Sequence, residues 1–280
     1  MKEEYLRTIP RGAASRPRRG LLCFGLPCAL LLAAAELLAS VGDARADLAL
    51  ETETARPLDP GQWQAGTALE YQRSRDGVEF AIPAFVEVGL RHGLELLVEP
   101  VFYTAILPSD GGDTRGVGDT EVTLTYLARE ETCSFPALAI AGEVKLPTAT
   151  ERLIGTGKAD FTGYLIASKR VGDFDVHFNF GYTVVGKPRG SDLQNIFNFA
   201  LAAEYPLTCR VDLLAEVLVN TSSLSSGGGE SSATPEASGG EVVGTVGVRY
   251  HVTDRADTFF DVSYDNQNAL GLRVGFAWKF

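Results

Sequence analysis

The side chains best placed to do chemistry are carboxylates. Glu70, Glu87, Glu95, Glu99, Glu121, Glu143, Asp175, Asp212, Glu216 and Asp261 each take a polar place in a stretch where apolar residues alternate with polar ones. Lys145, His177, Arg210, Arg249, Arg273 and Lys279 fall in the same alternation. On an extended strand, residues two apart share a face. If the strands close into a barrel, these groups line its interior, and a ring of carboxylates there favours cations. Pairing of the same charges across a narrow lumen, to hold the barrel's shape, is the plainer role for any one of them.

Covalent chemistry would need more. A serine-type hydrolase requires a nucleophile, a histidine base in reach and a third group to orient it. Beyond residue 46 the histidines are His92, His177 and His251. His92 reads as a turn residue, and the other two point inward near one end. Around neither is there the His-Ser cluster with a nearby Asn expected of a barrel phospholipase. A lipid- or peptide-hydrolysing barrel therefore stands as an alternative, not the expectation. Asp110 and Asp113 lie outside any twelve-residue calcium-loop pattern, and Cys133 with Cys209 make no metal site alone. No cofactor is expected. The two cysteines fall in short connections, where an oxidising compartment permits a bridge but spacing does not establish one.

The elements that would hold these groups are read from period two. In the last segment Leu270, Leu272, Val274, Phe276, Trp278 and Phe280 share one face, and Gly271, Arg273, Gly275, Ala277 and Lys279 the other. The same split recurs with Trp63, Leu69 and Tyr71 against Gln64 and Glu70, and with Phe174, Phe178 and Tyr182 against Asp175, His177 and Asn179. Segments of roughly ten residues with one apolar face are the mark of strands between lipid and lumen. Strands are expected near 62–74, 79–90, 94–107, 118–130, 136–149, 160–171, 173–186, 196–207, 209–222, 239–253, 255–265 and 268–280. Segment 160–171 is ambiguous, because Tyr164 and Ile166 compete with Leu165 and Ala167 for the outer face. The expectation is an all-β, closed antiparallel transmembrane barrel of about twelve strands. Phe85 and Tyr103 are candidate inward aromatics.

Connections alternate between tight turns, as at 91–93, 131–133, 171–173, 206–208 and 254–255, and a set holding every long loop, including 108–117, 150–159, 187–195 and 223–238. In bacterial barrels the turns face the periplasm and the loops face outside. The Ser/Gly-rich acidic tract from Ser225 to Gly240 reads as one such loop. A surface-binding barrel that used these loops is a third possibility, weakened by their want of aromatic anchors.

Ahead of the strands, arginines at 11, 16, 18 and 19 precede an apolar run from Leu21 to Val41 and the small-residue site Ala44-Arg45-Ala46. That order is a secretory signal, cut after Ala46. Arg18-Arg19 is a weak twin-arginine match, and a Sec-type route is expected. Three parts follow: 1–46 signal peptide, 47–61 a periplasmic segment or small plug, and 62–280 barrel. The chain carries 25 basic and 36 acidic residues, a net −11. Removing the signal takes it to about −14, and no basic cluster remains to neutralise phosphates, so nucleic acid is excluded as a partner.

Several phrases carry a resemblance. Thr52-Glu53-Thr54-Ala55-Arg56-Pro57-Leu58 with Gly61, then Gly116-Val117-Gly118-Asp119-Thr120, then Gly142 to Thr148 followed by Gly155, Gly157 and Asp160, resemble outer-membrane transporters grouped with the phenol meta-degradation pathway proteins. The resemblance implies an outer-membrane channel or transporter for a small solute, including hydrophobic or aromatic compounds. The last strand, ending in Phe280, resembles the signal read by the barrel-assembly machinery. Outer-membrane lipid, that machinery and a small solute are the expected partners.

Overall fold

A computed structural model describes residues 50–223 and 240–280. The signal segment and almost all of the 223–238 loop lie outside the described residues. The strands are β1 (Trp63–Arg73), β2 (Gly77–Arg91), β3 (Leu94–Pro108), β4 (Thr114–Gly116), β5 (Thr120–Arg129), β6 (Ala137–Leu146), β7 (Asp160–Val171), β8 (Phe174–Val184), β9 (Ile196–Thr208), β10 (Val211–Asn220), β11 (Glu241–Thr253), β12 (Ala256–Asp265) and β13 (Leu270–Lys279). Three-residue β4 only extends the outer part of β3. The other twelve form a closed antiparallel barrel, each paired on both sides and β1 joined to both β2 and β13. Closure leaves no backbone edge unpaired, the condition for a sheet to sit in hydrocarbon.

Alternation is what makes these segments wall. Leu69, Ile140, Leu165, Val246, Phe260 and Val274 are exposed on the outside, whereas Gln64, Glu87, Ser168, Glu216 and Arg249 are buried. Aromatic rings lie along the outer face and at both rims. Trp63 stacks on Phe280 at 3.9 Å, and Phe174 lies 4.9 Å from Tyr205, at the turn rim. Tyr182 and Phe197 sit 4.9 Å apart at the loop rim. Aromatic rings at both ends of an apolar belt fit a bilayer's two interfaces.

In the ambiguous stretch of β7, Ile166 is buried and Tyr164 half-buried while Phe161 and Leu165 are exposed, so the inner face is settled by Asp160, Thr162 and Ser168. Two expectations are corrected. Tyr103 does not point inward. The β2–β3 register slips by one residue between Ile82 and Pro83, which pairs Tyr103 with Ile82 and sets its ring 6.3 Å from outward Phe80. A bulge reverses which parity faces out. Arg210 does not line the interior. It sits exposed in the turn before β10, where the β9–β10 register also shifts, so strand parity no longer applies to it. Cys133 and Cys209 are both free and exposed.

Candidate functional site

Residues 50–59 run inside the barrel, rising from the turn rim toward mid-height. At the rim, Gly61 N–H donates to the Gly89 carbonyl (2.8 Å) and Gly89 N–H to Gln62 O (3.0 Å). A Cβ on Gly89 would stand 2.2 Å from the Asp59 carbonyl, so only glycine lets the segment lie this close to β2. Higher up, Leu58 N–H donates to Glu95, Ala55 N–H to Ser168 Oγ (2.8 Å) and Thr52 N–H to Glu216 (2.7 Å). Thr52 Oγ1 also binds Glu216. Bonding sets the Asn179 amide with its nitrogen on the Glu53 carbonyl (2.9 Å) and its oxygen on the Glu53 N–H (2.6 Å). Ala55 is fully buried against Ala137, Ala139, Ala141 and Ile166, and Leu50 packs with Ala68, Ala202, Leu214 and Phe259.

Arg56 is the segment's cationic anchor. Its guanidinium meets both oxygens of Asp175 (2.9 and 3.0 Å) and Glu131 (2.7 Å), the forked geometry that suits Arg to carboxylates. Lys169 joins Glu131 at 3.0 Å. Burial pushes the Glu131 carboxyl up, but hydrogen bonds from Arg56, Lys169 and the Arg170 N–H outweigh it and hold it down at about 2. Glu53 goes the other way: burial, then the charges of Glu95 and Glu143, push it up to about 8.

Above this segment, toward the loops, lies a cavity of about 450 Å³. Glu51 and Glu53 form part of its floor, and Glu99, Glu121, Glu143, Asp160 and Glu241 its walls, with Phe85, Leu97, Tyr164 and Leu218 as apolar patches. Among the described lining residues Lys145 is the one Lys or Arg, and it pairs with Asp160. Phe85 fits because it lies over Gly66 of β1, where a Cβ would come within 2.4 Å of the ring.

Arg249, His251, Asp212, Asp261 and Arg273 sit on the opposite wall, from β10 to β13. Arg249 binds Glu204 (2.9 Å) and reaches Asp212 (3.6 Å). His251 bridges Asp212 (2.9 Å) and Asp257 (2.6 Å). Arg273 binds Asp261 (3.0 Å) and Glu51 (2.7 Å) and lies 3.6 Å from Glu70. Glu87 accepts from Gln64 Nε2 (2.8 Å). His92 is exposed in its turn beside Glu130 (3.2 Å).

His177 and Ser168 do meet, Oγ to Nδ1 at 2.8 Å, but His177 Nε2 is 4.0 Å from Asp175, whose oxygens serve Arg56. Ser168 Oγ is covered by the Ala55 N–H. The arrangement holds a peptide backbone instead of poising a nucleophile. Among the described residues no group of three or more His, Cys, Asp or Glu is placed to hold a metal ion.

Sequence reasoning put Gln64, Asn179 and Gly89 on the inner face without assigning them a partner, and it missed Ser168 and Glu204, which complete the bound groove. Ser168 and Glu204 lie on the inner parity of β7 and β9, so parity alone would have found them. Asp119, singled out in the sequence only as part of the Gly116–Thr120 phrase, accepts from Ala149 N–H (2.9 Å). With the Gly118 carbonyl held by Thr148 Oγ1 (3.0 Å), Asp119 draws the Gly116–Thr120, Thr148 and Gly155 phrases together at the loop rim.

A closed wall with an apolar belt, aromatic rings at both rims and a charged interior defines the class of transmembrane β-barrels. Solved structures of that class share the fold. The chain is similar to an outer membrane channel from Pseudomonas putida F1 (14% identity, TM-score 0.60, covering 82% of this chain and 100% of that one). It is similar also to the NanC porin (10%, 0.56, 77% and 100%) and to the KdgM porin in complex with disordered oligogalacturonate (11%, 0.52, 77% and 99%). No family model matches the chain, and no curated protein does.

Proposed function

We propose that this protein is an outer-membrane channel that passes a small solute passively, and that it reaches that membrane after a signal peptide is cut behind Ala46. The observation that carries the reading is the acidic chamber of about 450 Å³ inside a closed barrel whose outer face is apolar. Outer-membrane lipid would cover that belt, and the terminal strand ending at Phe280 would engage the assembly machinery. The short turns then face the periplasm and residues 50–59 act as a plug from that side.

Charge sorts the solute. The KdgM porin takes oligogalacturonate, a polyanion, on a related fold. Here the chamber's carboxylates disfavour anions and favour cations or neutral molecules, while Phe85, Leu97, Tyr164 and Leu218 give an apolar solute surface to rest on. A neutral aromatic compound, as the resemblance to phenol-pathway transporters implies, satisfies both conditions. The test is conductance and reversal potential of the purified, refolded barrel in a planar bilayer under a salt gradient. Cation-leaning steps are expected. Anion preference, or silence from a folded barrel whose residues 50–59 have been released, would sink the reading.

A further inference from the structure

The bonds that hold residues 50–59 are bonds to a peptide as such. Three side chains from three strands capture backbone N–H groups along ten residues, at Thr52, Ala55 and Leu58, and a fourth, Asn179, reads both the N–H and the carbonyl of Glu53. Two of those acceptors, Glu216 and Glu95, are carboxylates, which bind N–H groups more strongly than neutral acceptors do. Between these points sit two side-chain pockets. One, walled by Ala137, Ala139 and Ala141 of β6 and Ile166 of β7, holds the fully buried methyl group of Ala55. The next is the Asp175–Glu131 pair that clasps a guanidinium. Backbone capture for affinity with alternating pockets for selectivity is how extended peptides are recognised elsewhere.

We infer that the barrel interior is a binding site for an extended peptide in which a small residue precedes arginine, and that residues 50–59 are its tethered occupant. A free peptide of this kind competes for the groove, and its capture regulates passage through the channel proposed above. The binding itself does not rest on that channel reading.

Arg56→Glu in the full mature chain sets a carboxylate against Asp175 and Glu131 and frees the groove; Ala55→Trp does so without changing charge. Folding of each is read by heat-modifiable migration. The probe is a fluorescent peptide with the sequence of residues 50–59, followed by anisotropy. Saturable binding to either folded variant is expected. Exchanging the probe's arginine for glutamate should weaken binding at least about tenfold, the loss of one charged hydrogen-bonded contact. The unsubstituted chain, with its groove filled, should bind at least about tenfold more weakly than the variants. No binding to a folded variant, or equal binding of a scrambled peptide, would overturn the inference. Conductance recorded alongside separates the two claims, since peptide binding to an electrically silent barrel removes the channel and leaves the groove.

Discussion

The wall from β10 to β13 and the wall from β2 to β6 both turn ionisable side chains inward, yet they use them differently. Arg249 and Arg273 each sit among two or more acids on the first wall and His251 hydrogen-bonds two more, so the ionisable groups there are matched strand by strand. On the second, Glu99, Glu121 and Glu143 line the cavity, where the described lining residues include a single Lys or Arg, Lys145, itself engaged by Asp160. Paired charges in a confined site cannot be broken cheaply, so the first wall is structural. Acidic side chains gathered around a cavity set a field that a passing solute would feel, so under the channel proposal the second wall is where selectivity would reside. Residues 50–59 touch both, through Glu51 on Arg273 and Leu58 on Glu95.

Substitutions can test that division. The largest expected effect is Arg273→Met, which leaves Asp261 and Glu51 without their shared cation: a loss of about 3–5 kcal/mol in urea unfolding from lipid vesicles. If the variant unfolds like the parent, the paired wall is not structural. Replacing Glu99, Glu121 and Glu143 together by glutamine should leave unfolding close to unchanged and lower the cation-to-anion permeability ratio on the order of threefold. An unchanged reversal potential would remove the selectivity assigned to the acidic wall.

Acidity gives a further, intermediate effect. Glu53 is pushed from an ordinary value of 4.5 up to about 8. Between these values the folded chain holds a proton that the unfolded chain releases, so this group's contribution to stability is full below about 4.5 and declines as pH rises through 8. Glu53→Gln should flatten that part of the stability profile; a profile that keeps its slope assigns it elsewhere. Gly89→Val should drive the Asp59 carbonyl off β2 and raise conductance with little change in the wall, checked by single-channel recording. Smallest is Phe280→Leu, which removes stacking on Trp63 worth about 0.5–1.5 kcal/mol and should show as slightly faster unfolding.

Much of the wall was legible in advance, because period two is a local property: each residue's face follows from its neighbours one and two places away. Glu87, Glu99, Glu143, Asp212 and Arg273 were placed inward on that basis, and the strand and loop order with it. Parity fails wherever the backbone departs from regular pairing. One inserted residue opposite Pro83 turned Tyr103 outward, and the turn before β10 took Arg210 out of the lumen.

The sequence by itself therefore determined the strands, their outward faces, the alternating turns and loops, and the acidic excess of the interior. Tertiary structure alone decided which carboxylates find a cation and which face the cavity, since partners such as Arg273 and Glu51 are 222 residues apart and meet only once the barrel closes. It decided, too, that residues 50–59 lie within the barrel. Their composition suits water as well as it suits a polar lumen, and only the matching positions of Glu95, Ser168, Asn179 and Glu216 on four different strands select the lumen.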